Sequence, residues 1–315
     1  FPLTAPHRHL DRYWPDGVTP PRVAAGSGDS AQHPMTRGAI AGFRTDEIER
    51  EEGLKARAAY FACVDYLDEI LGDYLVRLER DGALDNTIIV YASDHGEMCG
   101  EHGLWWKNTW HEASARVPLI ISTPEHRRGD VSAETIRDPA SLADLLPTLC
   151  GFAGVDPPDD IDGIDLSGPC RGESSSALLQ RPGVITESMM PRWGDGTEFR
   201  LIRSRRHKYI TFRGVEDLAF DLENDPHEQV NLLAHEVYDP QIESLRSHVL
   251  DGFDFDAVER SRSEQTADLR SRFASRTNAS TPNQVLRGDG KLVEADTPLY
   301  DADVISADID ADFDR

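Results

Sequence analysis

The sequence predicts an α/β protein, a parallel sheet flanked by helices with a small antiparallel sheet after it. Three observations carry this. Residues 45–79 repeat apolar side chains at helical spacing, the β-branched run Thr87-Ile88-Ile89-Val90-Tyr91 follows, and four short strand-like runs crowd into 184–222. At 315 residues the chain suffices for one large domain, or a large and a small one.

Residues 1–44 are rich in Pro, Gly and Arg without a sustained period and read as a long surface loop. Residue 1 is Phe, the first methionine is Met35, and Phe1–Pro6 reads as a strand end entering a loop, so sequence is expected ahead of it. The helix from Thr45 to Glu79 has Thr45 as its expected N-cap, acids in its first turn and Gly82 as its stop. Its apolar stripe is Leu54, Ala58, Phe61, Val64, Leu67, Leu71, Leu75 and Leu78. The runs at 87–92 and Val117–Ser122 are expected to join one parallel sheet. Ser141–Phe152 reads as a helix that Pro147 would kink.

Residues 154–182 read as a linker. Val184–Thr186, Phe199–Arg203, His207–Phe212 and Asp217–Leu222 read as an antiparallel sheet, and 236–251 as a helix. Six aspartates in 301–315 point to a loosely held tail. The expected division is 1–182 as part of a catalytic α/β domain, 183–253 as an antiparallel-sheet subdomain and 254–315 as a polar acidic tail.

A net charge of −24, from 57 acidic and 33 basic residues, argues against nucleic-acid partners, whose phosphates demand the opposite sign. No apolar run approaches the roughly 20 residues that span a bilayer, so no membrane partner is expected. Cys63, Cys99, Cys150 and Cys170 form no C-x-x-C pair, and Cys63 and Cys150 sit in apolar helical patterns as buried thiols. A reducing, cytoplasmic setting fits.

The chemistry concentrates in Ser93-Asp94-His95-Gly96-Glu97, directly after the first strand. Ligands of open α/β sheets bind beyond the carboxyl ends of the strands. A carboxylate there serves as a metal ligand or as a helix cap, and the adjacent imidazole favours the metal. Glu97 and Glu101 read as solvated acids. Lys107, among Trp105, Trp106 and Trp110, either presents a concentrated charge to an anion or snorkels along the surface. Glu112 and Arg116 have the spacing of an ion pair. His7, Arg8 and His9 offer three basic groups to an anionic substrate or to solvent.

Together these segments resemble a known family. Residues 93–121, SDHGEMCGEHGLWWKNTWHEASARVPLII, are similar to the metal-and-lysine block of type I sulfatases of the alkaline phosphatase superfamily, the choline-sulfatase-like members especially. The later RHKYITFRGVEDLAFDLENDPHEQVNLL resembles their small C-terminal sheet, and FPLTAPHRH their strand and Pro-His loop. The resemblance implies an alkaline-phosphatase-like sandwich and a metal-dependent sulfuric ester hydrolase. It implies Asp94 and His95 as ligands of a divalent metal, usually Ca²⁺. Because imidazole suits Ca²⁺ poorly, Mn²⁺ or Mg²⁺ stay open. It implies Lys107 as a contact of the sulfate oxygens and His7 as the group beside the leaving oxygen. A phosphodiester or phosphonate monoester is the alternative substrate to a sulfate ester.

The family's nucleophile is a formylglycine made from Cys in Cys-x-Pro/Ala-x-Arg. None of the four cysteines has that context, and the family's early Asp pair is absent. The chain alone is therefore expected to be inactive, a fragment or subunit needing the missing N-terminal part or a homo-oligomer partner. Choline-like specificity would need an aromatic or acidic pocket for a quaternary ammonium, and Trp105, Trp106, Trp110 and Trp193 are available if they are not packing residues.

Overall fold

The opening residues are not a plain loop. In this computed structural model, which describes residues 3–235, 237, 239–273, 284–286 and 292–294, His7–Leu10 (α1) and Pro34–Phe43 (α2) are helical. Pro34 starts α2 where a missing N–H costs no bond, and His33 Nδ1 accepts from the Met35 amide at 3.2 Å. Small residues, read as loop formers, instead let α2 press against Trp193. A Cβ on Gly38 would lie 1.8 Å from the Trp193 carbonyl oxygen.

Arg50–Arg80 (α3) is the predicted long helix with a shifted start. Thr45–Glu47 form a separate 3₁₀ turn, so Thr45 caps nothing in α3. The apolar stripe is buried at one end only. Ala58 and Ala62 are covered, whereas Val64, Leu67 and Leu75 are exposed.

Ile89–Ala92 (β1) leads through a long loop and the short helix Glu112–Ala115 (α4) to Leu119–Ser122 (β2). The two strands pair antiparallel, Val90 opposite Ile121. The parallel pairing expected from sequence needs a crossover connection. Here the connection doubles back on itself and returns the chain in the opposite sense.

Pro124–Arg128 (α5) follows. Ser141 caps a 3₁₀ turn, and Leu145–Ala153 (α6) starts after it. Pro147 thus falls in the first turn of α6, where no helical hydrogen bond is lost and no kink is required. The stretch read as a linker contains the helix Ser176–Gln180 (α7) and is tied to α6 by the Leu166 amide donating to Thr148 Oγ1 at 2.9 Å.

The antiparallel sheet forms where it was expected. Val184–Ser188 (β3), Phe199–Arg203 (β4), His207–Phe212 (β5) and Leu218–Asp221 (β6) pair in sequential order. One face packs Phe199, Leu201, Ile210, Phe212 and Phe220 against Met35, Met98, Leu104 and Trp110. The other packs Ile202, Tyr209 and Ala219 against Ile242, Leu245 and Val249 of Pro240–Leu250 (α8). The first face binds the sheet to the loop after β1 in one core.

The chain divides into two compact units, Phe1–Phe255 and Asp256–Arg315. In the second, the polar sequence read as a tail forms most of the helix Phe255–Phe273 (α9), with Glu259–Arg262 and Asp268–Arg272 ion pairs along it. The segments Gln284–Leu286 (β7) and Leu292–Glu294 (β8) pair antiparallel. The aspartates of 301–315 lie outside the described residues. No helix among the described residues is long and apolar enough to cross a membrane. All four cysteines are free, and the buried one is Cys99, whereas Cys63 and Cys150 are half-buried.

Candidate active site

β1 ends at Ala92, and Ser93 turns the chain out, its hydroxyl donating to the His95 carbonyl at 2.9 Å. The loop that follows is a folded-back pair of arms. The Gly96 amide reaches the Ser114 carbonyl at 2.8 Å and the Met98 amide the Trp106 carbonyl at 2.8 Å. Gly96 is required by contact, since a Cβ there would sit 2.0 Å from the Ala113 carbonyl oxygen. The loop also holds four of the six non-glycine residues with positive φ among the described residues: Cys99, His102, Trp106 and Asn108. For a bulky residue such as Trp106 this conformation is costly, and such outliers gather at functional sites.

The arms bring three of the predicted site residues together. Lys107 Nζ stands 2.8 Å from His95 Nε2, and Asp94 Oδ2 is 3.4 Å from the same nitrogen. His95 Nδ1 donates to the Gly96 carbonyl at 2.8 Å, which leaves the Nε2 lone pair free to accept from the lysine. Asp94 is open to solvent, its side chain 85% exposed, and its other oxygen accepts from the His95 amide at 3.0 Å. An exposed carboxylate and an imidazole lone pair facing one point are a fitting donor set for a divalent cation, and an incomplete one. No group of three or more His, Cys, Asp or Glu capable of holding a metal occurs among the described residues. The Nε2 lone pair serves Lys107 or a metal, not both.

His7 stands apart from this trio. It is the exposed first residue of α1; its carbonyl accepts from the Asp11 amide at 2.8 Å, and among the described residues its side chain makes no hydrogen bond or ion pair. The basic triplet was overcounted. Asp65 and Glu69, four apart on α3, engage the other two: Arg8 binds Glu69, and buried His9 donates Nδ1 to Asp65 at 2.7 Å. His9 Nε2 lies 3.1 Å from Glu69 without hydrogen-bond alignment. Arg12 adds a second contact to Asp65 at 2.7 Å. These pairs hold both carboxyls below their usual range, His9 being the largest cause at Asp65 and Arg8 at Glu69. The network fixes α1 and leaves only His7 free to meet an anion.

Glu97 and Glu101, read as solvated acids, are brackets of the loop instead. Glu97 Oε1 accepts the Trp106 amide at 2.6 Å and the Cys99 amide at 3.1 Å. Glu101 accepts the Arg22 and Val23 amides and pairs with Arg57 at 3.0 Å. Arg57, buried on α3, also donates to the Cys99 carbonyl at 2.7 Å and the Thr19 carbonyl at 2.9 Å. Glu112 does not pair with Arg116. Its carboxylate meets Lys208 of β5 at 2.6 Å, with Arg203 at 3.6 Å. Burial disfavours its charge, but Lys208 outweighs that and holds its pKa low.

Sequence reasoning missed Arg57, Lys208 and Glu228. The available signal was Lys208 itself, a lone charge in the run Tyr209-Ile210-Thr211-Phe212 that reads as a buried strand. Trp110 and Trp193 are core residues. Phe43 lies 4.2 Å from Trp106 and 4.8 Å from Trp193, ring centroid to centroid, so these tryptophans are packing residues.

Comparison with known proteins places these features in a family context. A family model described as Sulfatase matches residues 5–155, and one described as N-sulphoglucosamine sulphohydrolase, C-terminal, matches residues 100–252. An arylsulfatase of Clostridium perfringens is 30% identical over 247 residues, 78% of this chain and 49% of the relative. A choline-sulfatase of Rhizobium meliloti is 33% identical over 193 residues, 60% of this chain and 35% of the relative. The chain spans about half the length, or less, of these curated relatives. The structure of BT4656 in complex with its substrate D-glucosamine-2-N,6-O-disulfate is 29% identical with a TM-score of 0.54, covering 68% of this chain and 44% of that one. A phosphonate monoester hydrolase of Silicibacter pomeroyi, 22% identical with a TM-score of 0.64, covers 95% of this chain and 58% of its own and shares the fold.

Proposed function

Because the chain belongs to the sulfatase family and has its alkaline-phosphatase-like α/β fold, we propose that it carries the lysine–histidine side of a sulfuric ester hydrolase site. One observation carries the proposal: Lys107 and His95 in contact at 2.8 Å beside an open Asp94, at the end of β1. Lys107 is the donor to the sulfuryl oxygens, where charge persists through the reaction. His95 orients that ammonium through its fixed tautomer. His7, exposed at the start of α1, is the group that supplies a proton to the departing alcohol oxygen.

Sulfatases generally use a divalent metal. Asp94 and His95 are the residues here that would hold one, His95 Nε2 turning from Lys107 to the ion to do so, Ca²⁺ by family habit and Mn²⁺ or Mg²⁺ by the imidazole, and when bound it would draw charge from the sulfuryl oxygens. A formylglycine nucleophile fits none of Cys63, Cys99, Cys150 and Cys170 and is supplied from outside these 315 residues, as are the remaining metal ligands. A sulfate ester is thus the substrate of the complete enzyme, and this chain alone does not turn over.

The test is release of inorganic sulfate from an aryl sulfate by the complete protein, run beside an aryl phosphonate monoester and a phosphodiester. Lys107→Ala is expected to slow the sulfate reaction by roughly 10²–10³. Faster cleavage of the phosphorus esters moves the assignment to the alternative substrate. Release of sulfate from no ester, with metal content unchanged in Asp94→Ala, sinks the reading.

A further inference from the structure

The arm that returns from Lys107 is fastened at three points by groups from the C-terminal part of the first unit. The Asn108 carbonyl accepts from Trp193 Nε1 at 2.7 Å. The Trp110 carbonyl accepts from Lys208 Nζ at 2.9 Å. The Glu112 amide donates to Glu228 Oε2 at 2.7 Å. Lys208 Nζ also meets Glu228 Oε1 at 2.7 Å and Glu112 Oε1 at 2.6 Å. All three donors of the ammonium are therefore engaged, and the side chain is 0% exposed.

A buried ammonium is a poor device for stability alone. Removing it from water is costly, and well-packed apolar side chains often replace such ionic clusters without loss. Its distinctive property is direction. It holds one backbone carbonyl and two carboxylates at fixed places, and one of those carboxylates belongs to the residue that ends the arm. Glu228, itself at φ 56°, puts both of its oxygens at the same junction, one on Lys208 and one on the Glu112 amide.

We propose that Lys208 is a positioning residue. Through Trp110, Glu112 and Glu228 it sets where the return arm stands, and so where Lys107 Nζ meets His95. The consequence for sulfate rests on the assignment of Lys107 made above; the placement of the arm does not.

The experiment compares the full 315-residue chain with its Lys208→Met variant in two measurements. Amide hydrogen exchange is followed at Gly96, Met98 and Trp106 in the loop and at Leu201 and Ile210 in the sheet. Exchange in the loop is expected to rise about tenfold or more while the sheet amides change little. Equal acceleration in loop and sheet, which a merely structural lysine gives, or no acceleration, overturns the proposal. In the second measurement, inorganic sulfate is titrated against tryptophan fluorescence, with Trp105 and Trp106 directly before Lys107. The variant is expected to raise Kd about tenfold. An unchanged Kd overturns the link to Lys107. A sulfate response absent from the unsubstituted chain overturns the sulfate assignment and leaves exchange to decide the placement. If Lys208→Met does not fold, Glu228→Gln, which keeps an acceptor for the Glu112 amide and loses the charge, is read against the same outcomes.

Discussion

The two sheets of the first unit differ in how they are held. In β3–β6 every residue of β5 is buried, with apolar layers on both faces. In β1–β2 no residue of either strand is fully buried, and Ile120 is exposed. A two-stranded ribbon has little stability of its own. Yet Asp94, His95 and Lys107 hang from that ribbon. The contrast teaches that the order of the site is supplied from elsewhere: Arg57 of α3 holds the turn at 99–101, and Trp193, Lys208 and Glu228 hold the return arm.

The sharpest way to break this contrast is to weaken the stronger sheet. Ile210→Ala, at a fully buried position on the face that packs against the loop, should cost about 2–5 kcal/mol in urea unfolding and loosen the loop with it. A loop that keeps its protection against exchange in that variant would show that the ribbon stands alone. Next comes the loop itself. Gly96→Ala forces a methyl against the Ala113 carbonyl and should cost about 1–3 kcal/mol, with a weaker response of the tryptophans to sulfate.

Acid supplies a third probe, through the buried histidines of the loop and of the turn before α2. His111 is held well below its ordinary pKa by burial first, with His102, Lys208 and His33 adding repulsion. Burial likewise lowers His102 and His33. Unfolded, all three bind protons near pH ~6.5, so below that pH the folded state binds fewer. Their contribution is therefore complete above about pH 6.5 and is lost as the pH falls. The carboxylates held low by their partners, such as Asp144 beside Arg181, act only near pH ~4 and below. Glu228, whose pKa burial raises, works in the opposite sense. The urea midpoint should fall between pH 7 and pH 5, and less so in His111→Leu; a flat profile would remove these histidines from the account. The smallest effect belongs to the ribbon: Ile120→Ala should stay within about 0.5 kcal/mol, and a cost near that of Ile210→Ala would erase the contrast between the sheets.

The sequence made some of this legible for a local reason. β3–β6 were readable to within a residue or two because strongly apolar runs are separated by turn residues such as Ser204-Arg205 and Gly214. Asp94, His95 and Lys107 were readable as a group because one loop carries all three close together in sequence. What escaped was non-local. Helical periodicity marks the face on which Arg57 lies, but not the Cys99 carbonyl it meets. The acids that engage Arg8 and His9 lie over fifty residues away on α3. The direction of β2 depended on how the loop folds back, which the apolar pattern of the strand does not record.

Cys99 extends the same logic to time. Its carbonyl is held by Arg57, its thiol is buried, and burial with Glu97 nearby pushes the thiol pKa up. It is thus chemically silent while the loop is closed, whereas half-buried Cys63, Cys150 and Cys170 stand nearer to solvent. Alkylation of Cys99 can proceed only through excursions that uncover it, so its slow rate, set against the faster three, is a clock for how often the lysine-bearing loop opens.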